Sequence, residues 1–149
     1  MKRTAFAFGA ILFSTIVVAC GSDKGPTNSG GGGGGASLVG NFMATQWVTT
    51  GGFGQTDQIL AGSTLTITLN SNGSTSGHIH LVGSGNNPSL EADMVGTWNL
   101  NGSTVTFSQN ADTFVRDTPF SVVASGAKWA LEGDQTFQGT RIQLTLTQS

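Results

Sequence analysis

The feature that most constrains this fold is a two-residue alternation of apolar and polar side chains, which begins near residue 38. It is clearest at 63–70, where Leu65, Ile67 and Leu69 alternate with threonines. Successive side chains of a β-strand point to opposite faces, so this segment has one buried face and one solvated face. The alternation recurs in segments 78–81, 94–100, 103–109, 120–122 and 142–147. These segments predict a fold built from short strands.

Turn residues separate the alternating segments. Asn72-Gly73 and Asn101-Gly102 favour tight hairpins, because both residues of each pair accept a positive φ. We predict strands near 40–49, 56–61, 63–70, 75–82, 93–100, 103–109, 113–124 and 127–147, and we expect the last segment to contain two strands. No stretch carries a 3.6-residue apolar period over three turns, so any helix is minor. The pattern predicts an all-β fold, an antiparallel up-and-down barrel of about eight strands, with a β-sandwich as the alternative.

The first twenty residues have a different character and are set aside from the fold. Lys2 and Arg3 form a short positive region, and Ala5 to Ala19 form an uncharged, mostly apolar run of 15 residues. A spanning helix needs roughly 20 apolar residues, so this run fits the apolar region of a signal peptide better.

The end of that run carries a specific motif. Val17-Val18-Ala19-Cys20 resembles the lipobox of bacterial lipoprotein precursors. The resemblance implies cleavage after Ala19, a diacylglycerol on the Cys20 sulfur and acylation of the new amine by a fatty acid such as palmitate. Two or three acyl chains on one residue make a lasting membrane anchor. The alternative is an ordinary signal-peptidase site followed by a free cysteine.

The residues after Cys20 bear on localisation and on domain organisation. In Gram-negative lipoproteins an Asp after the lipidated Cys retains the protein at the inner membrane; Gly21-Ser22 stands here, so the resemblance implies the outer membrane of the cell envelope. Residues 21–37 include six consecutive glycines and predict a flexible tether with an r.m.s. span of roughly 20–25 Å. We therefore divide the chain into a signal peptide (1–19), a lipidated Cys with its tether (20–37) and a β domain (38–149).

The β domain also has a family resemblance. Gly40-Asn41-Phe42, Gly96-Thr97-Trp98 and the hairpin Asn70-Ser71-Asn72-Gly73 resemble small bacterial lipocalin-like lipoprotein domains. The resemblance implies an antiparallel barrel that binds one small apolar ligand. Lipocalins place Gly-x-Trp on the first strand, whereas this chain has Phe42 there, and it lacks the usual disulfide.

Composition excludes several function classes. Six Lys and Arg residues and a formal charge of −2 exclude a nucleic-acid binder that neutralises phosphates. A single Cys excludes both a disulfide framework and a multi-cysteine metal site. There is no Gly-x-Ser-x-Gly motif, and no catalytic set of residues assembles, so we predict that the protein is not an enzyme and uses no cofactor.

Two groups of residues remain candidates for chemistry. His78 and His80 lie two apart on a predicted strand and project to one face; Asp57, Glu91 and Asp93 are the carboxylates nearby in sequence that would supply a further zinc ligand. We favour two histidines on a solvated face and predict no metal site. The second group comprises three tryptophans that either fill the core, which we favour, or line a ligand pocket: Trp47, Trp98 and Trp129.

Two functions follow as expectations. The first is a membrane-anchored lipoprotein whose lipocalin-like barrel binds a small apolar ligand, since an eight-stranded barrel has room for side chains or for one small ligand. The second is a non-catalytic structural or interaction module that contacts another protein of the cell envelope through a sheet edge or a loop face. An unfilled barrel favours the first, and a filled core with an apolar surface patch favours the second.

Overall fold

The described part of the protein is built almost entirely from strands. The computed structural model describes residues 37–83 and 88–149, which form ten strands and one four-residue helix. The strands are β1 (Gly40–Gly51), β2 (Gly54–Asp57), β3 (Thr64–Leu69), β4 (Ser74–Leu81), β5 (Leu90–Asp93), β6 (Gly96–Asn101), β7 (Thr104–Gln109), β8 (Phe120–Ser125), β9 (Lys128–Phe137) and β10 (Thr140–Gln148). The helix α1 (Phe114–Asp117) lies between β7 and β8.

Eight of these strands close into an antiparallel barrel, which confirms the predicted fold class. Its strand order is β1, β3, β4, β6, β7, β8, β9 and β10, and β10 pairs with β1 to close the circle. The remaining two strands extend the wall at one end: β2 pairs with the second half of β1, and β5 pairs with the second half of β4. Because the sheet closes on itself, the β-sandwich alternative is wrong.

The closing seam between β1 and β10 is long. It extends from the pair Phe42–Gln148 to the pair Thr50–Arg141. A bulge at Thr45 interrupts the register between Ala44 and Gln46, so that Phe42 and Trp47 both face the interior although they are five residues apart.

The predicted alternation places the core correctly. Leu65, Ile67 and Leu69 are at most 1% exposed, whereas Thr64 and Thr66 face solvent. The largest side chains that are buried almost completely come from several strands and flanking segments: Trp47, Phe42, Phe120, Leu38, Ile79, Met94 and Leu131. They form a single hydrophobic cluster, so side chains fill the body of the barrel.

Two glycines allow the wall to bend where strands change partners. Gly77 lies on β4 between the residues that pair with β6 and those that pair with β5, and a Cβ there would overlap the carbonyl oxygen of Thr66. At Gly96 a Cβ would overlap the carbonyl oxygen of Ser108 on β7. The glycine of the Gly96-Thr97-Trp98 motif therefore permits a close backbone approach.

One predicted strand is wrong over most of its length. Residues 56–61 were expected to be extended, but β2 ends at Asp57 and a turn follows. The Asp57 carboxylate accepts hydrogen bonds from the backbone N–H groups of Ile59 and Leu60, at 3.0 and 3.1 Å. Such a local side-chain acceptor favours a turn over a sheet ladder.

The predicted strand at 113–124 is wrong in its first half. Residues 114–117 form α1, and only Phe120–Ser125 is a strand. The Thr118 hydroxyl donates to the Phe114 carbonyl at 2.7 Å, and Pro119 forces an extended backbone at Thr118 that ends the helix. The prediction near 93–100 joined two strands, the end of β5 and β6, that residues 94 and 95 separate. The segment 127–147 contains two strands, as expected.

The barrel has two different ends. At one end, which we name the closed end, the amide of Gln148 donates to the carbonyls of Ser37 and Val39, and Leu38 is fully buried. At the other end, which we name the mouth, Thr49 of β1 lies beside Ile142 of β10. The chain therefore enters the barrel at the closed end, with the full length of β1 between this entry and the mouth.

Candidate functional site

The mouth of the barrel contains a cavity of about 490 Å³, which falls within the size range of small-molecule sites. About half of its wall is apolar and comes from residues far apart in sequence: Leu81, Val82, Leu90, Phe114, Phe137 and Ile142. Its polar groups come from Thr49, Gln58, Asp112, Thr113, Gln138 and Thr140. Binding sites for small molecules combine an apolar wall with polar groups that fix the orientation of the ligand, and this cavity offers both.

A chain of hydrogen bonds holds one side of the mouth together. The Val82 backbone N–H donates to the Ser63 hydroxyl at 2.9 Å, and that hydroxyl donates to Gln58 Oε1 at 3.2 Å. Gln58 Nε2 in turn donates to Thr49 Oγ1 at 2.7 Å. Gln58 and Ser63 are both buried, at 6% and 2% exposure. This chain links β1 to the segments that precede β3 and follow β4, so it positions Val82 at the rim.

The floor of the cavity is aromatic. Phe114 of α1 lines the cavity, and the indole of Trp47 packs against it with 5.6 Å between ring centroids. Both side chains are almost completely buried. The cavity therefore stops at α1, above a filled core, and does not extend down the barrel axis.

Several buried polar atoms near the interior have no hydrogen-bond partner among the residues that the structure describes. They are Trp47 Nε1, Thr75 Oγ1, both side-chain polar atoms of Gln109 and Thr113 Oγ1. Thr113 is the N-cap residue of α1, yet its hydroxyl makes no capping bond. Thr113 and Trp47 adjoin the cavity region, Thr113 as a lining residue and Trp47 through Phe114. Buried polar groups without a partner are rare in proteins.

The structure brings together four of the residues singled out in the sequence, on the outer face of the β4–β5 ribbon. His78 lies opposite Asp93 and His80 opposite Glu91. His78 Nδ1 is 3.1 Å from Asp93 Oδ1, and His78 Nε2 is 2.9 Å from Glu91 Oε2. His80 Nδ1 is 2.6 Å from the other oxygen of Glu91. Asp57 is not part of this group, because its carboxylate is bonded within its own turn.

The electrostatics of this group follow from its hydrogen bonds. Hydrogen bonds to Asp93 and Glu91 raise the pKa of His78 above its usual 6.5. Hydrogen bonds from His78 and His80 lower the pKa of Glu91. Within residues 37–83 and 88–149, no three or more His, Cys, Asp or Glu side chains are arranged to hold a metal ion. Both ring nitrogens of His78 already contact carboxylates.

A second concave surface lies on the outside of the barrel wall. A groove of about 620 Å³ runs over the solvent-facing side of β8, β9 and β10. It is lined by polar side chains such as Gln46, Glu132 and Gln143. Although it is larger than the mouth cavity, it has little apolar wall, so the mouth is the better candidate for an apolar ligand.

The tryptophans separate into two groups. Trp47 and Trp98 lie in the core at 1% and 6% exposure, as expected. The Trp98 indole N–H donates to the Asn70 carbonyl at 3.0 Å. Trp129 is only half-buried, and its backbone N–H donates to Gln148 Oε1. None of the three tryptophans belongs to the described residues that line the mouth cavity.

The sequence interpretation missed the residues that form the mouth, above all Gln58, Thr113 and Phe114. One signal was present for α1: Thr113 followed five residues later by Thr118-Pro119 is the pattern of an N-cap residue and a helix stop. Nothing in the residue pattern marks Gln58, whose role depends on a turn.

The predicted signal peptide (1–19), the lipid-attachment residue Cys20 and the tether up to residue 36 lie outside the described residues. Among the helices of residues 37–83 and 88–149, none has the length and apolarity needed to cross a membrane. Comparison with known proteins yields no match to a family model, to a curated protein or to a solved structure.

Proposed function

We propose that this chain is a lipid-anchored protein of the cell envelope whose lipocalin-like barrel binds a small apolar molecule at its mouth. The observation that carries the proposal is the cavity of about 490 Å³, one half of whose wall is apolar. The body of the barrel is filled, so the ligand occupies only the space above Phe114 and Trp47. The protein is a binder rather than an enzyme in this proposal.

The geometry of the barrel ends supports the combination of anchor and binding site. Ser37 enters at the closed end, where its carbonyl accepts a hydrogen bond from Gln148. Thr49 lies at the mouth, 12 residues farther along the chain. At about 3.3 Å per residue, the strand places the mouth roughly 30 Å or more from the point where a tether to Cys20 attaches. A lipid on Cys20 therefore leaves the mouth open to the aqueous compartment.

Native mass spectrometry tests this proposal on the lipidated protein taken from its own membranes. We expect a retained small molecule in the wild type and its loss in Val82→Trp, because a large ring at the rim fills the cavity. Val123→Trp is the matched control, since Val123 is exposed on β8 and lies outside the cavity. Absence of any adduct on the wild type, or equal retention in Val82→Trp, would contradict the proposal.

One observation favours the alternative of an interaction module. Phe53 is fully exposed at the tip of the β1–β2 hairpin, in a stretch from Gln46 to Thr56 that carries no charged residue. An apolar side chain at such a tip is suited to contact another envelope protein. If that is its role, Phe53→Ser removes a co-purifying partner while any adduct at the mouth is retained.

A further inference from the structure

The charge that the described lining residues bring to the mouth cavity is negative. Among the lining residues of the described part of the chain, Asp112 is the only ionisable side chain, and none is Lys, Arg or His. A bound carboxylate or phosphate would therefore meet an acidic group and no basic residue of the lining.

Arg116, a basic residue on the helix that lines the cavity, is already paired with carboxylates. Arg116 of α1 lies 2.5 Å from Asp112 Oδ1 and 3.4 Å from Asp117 Oδ1. The three residues together carry one net negative charge, so Arg116 does not leave a positive site at the rim. An organic anion that entered the cavity would lose water without gaining a cationic partner, which is unfavourable.

One polar group of the wall does lack a partner. Thr113 is 1% exposed, and its hydroxyl forms no hydrogen bond with any residue of 37–83 or 88–149. The hydroxyl can both donate and accept, so it suits a hydroxyl or carbonyl group of a ligand. Gln58, by contrast, is already bonded to Thr49 and Ser63.

We infer that the mouth cavity takes an uncharged apolar molecule, one of whose hydroxyl or carbonyl groups hydrogen-bonds to Thr113, and that it excludes organic anions such as fatty acids. This inference rests on the proposed function and adds the chemical class of the ligand. The wall that Leu81, Leu90 and Ile142 provide contacts the apolar part of the molecule. The absence of a basic lining residue decides against an acid of the same length.

The experiment compares two six-carbon probes, a neutral alcohol and an anionic carboxylate. Hexan-1-ol and hexanoate, both water-soluble, are titrated at pH 7.5 into the full lipidated protein in nanodiscs of phosphatidylcholine. Backbone amide shifts are recorded by NMR, with Val82, Thr113 and Ile142 as reporters of the mouth. We expect saturable shifts with hexanol and at least tenfold weaker binding of hexanoate.

Two variants separate the parts of the inference. Asp112→Asn removes the acidic charge and should narrow the difference between the two probes to about threefold or less. Thr113→Val keeps the side-chain shape and should weaken hexanol binding severalfold, with 1-chlorohexane as the probe that has no hydroxyl and should bind unchanged. Amide spectra outside the mouth verify that each variant is folded.

Each outcome has a distinct meaning. Hexanoate binding as tight as hexanol, or tighter, would overturn the exclusion of anions while leaving the proposed function in place. Unchanged hexanol affinity in Thr113→Val would overturn the role of Thr113. If neither hexanol nor 1-chlorohexane shifts the mouth amides, the proposed function itself fails.

Discussion

The ring of Phe114 lies against the indole of Trp47, with the two planes tilted by 46° and the centroids 5.6 Å apart. This contact joins the only described helix to the centre of the barrel. Above it lies the mouth cavity, and below it the packed core. The pair therefore divides the interior into a part that stabilises the fold and a part that is open to a ligand.

Trp98 belongs to the stabilising part. We expect Trp98→Ala to lower the free energy of unfolding by about 3–5 kcal/mol, the range for truncation of a buried aromatic side chain. Total stability of a domain this size is about 5–15 kcal/mol, so much of it would be lost. Urea denaturation followed by circular dichroism measures the change. Trp98→Phe keeps most of the ring but loses the bond to the Asn70 carbonyl, and its smaller effect serves as the control.

Gly96 offers a test of the close approach between β6 and β7. Gly96→Ala places a methyl group into the Ser108 carbonyl and within 2.8 Å of Gln109 Cα, so we expect a loss of at least about 2 kcal/mol. Gly52→Ala is the matched control, because a Cβ there has no heavy atom within 4 Å. It should change stability by no more than about 0.5 kcal/mol. Similar melting temperatures for the two variants would contradict the close approach.

The His78 group predicts a dependence on pH. Asp93 and Glu91 raise the pKa of His78, so protonated His78 is favoured in the folded state; its stabilising effect is complete below pH 6.5 and is lost as pH rises through the raised value. The pKa of Glu91 is lowered, so its effect is present above about pH 4.5 and is lost as pH falls through the lowered value. The ribbon should therefore be most stable between about pH 4.5 and 6.5.

NMR titration of the imidazole signals checks this expectation. His78 should titrate above pH 6.5 in the wild type and closer to that value in Asp93→Asn, which removes the largest cause of the shift. A stability-versus-pH curve of His78→Gln should lack the decline that the wild type shows above pH 6.5. A His78 midpoint at or below 6.5 in the wild type would refute the hydrogen bonds described for it.

Cys20 carries the prediction about localisation. Cys20→Ser should leave a precursor that is not cleaved after Ala19 and lacks acyl chains, because the resemblance to the lipobox makes this cysteine the modified residue. Intact mass and partition into the detergent phase on Triton X-114 separation measure both effects. Processing and partition like those of the wild type would mean that the lipoprotein interpretation is wrong.

Local pattern was sufficient for the wall of the barrel and insufficient for its mouth. The alternation around Leu65 and Ile67 identifies both the strand and its buried face, because every second side chain meets the same environment. The turn after Asp57 was misread because one carboxylate that bonds two backbone N–H groups outweighs the weak strand preference of the residues that follow. The composition alone does not reveal which of these two effects is stronger.

The mouth was beyond prediction for a different reason. Leu81, Phe114 and Ile142 belong to segments more than 25 residues apart, and they meet only because the barrel closes. The histidines illustrate the intermediate case: their common face followed from their spacing, whereas Glu91 and Asp93 became their partners through the register of β5. Register between strands is set by the turn that joins them and by packing across the sheet.

The seam between β1 and β10 has a consequence for how the molecule is made. Phe42 pairs with Gln148, so the two strands that close the barrel are those farthest apart in the described sequence. Pairing of such distant segments carries the largest loop-closure entropy of any contact in the fold, and contacts of this kind slow folding. β10 is synthesised after the other described strands, so the barrel cannot close before β10 is available. Until then the edges of β1 and β9 that pair with β10 remain open, and open strand edges of this kind favour aggregation.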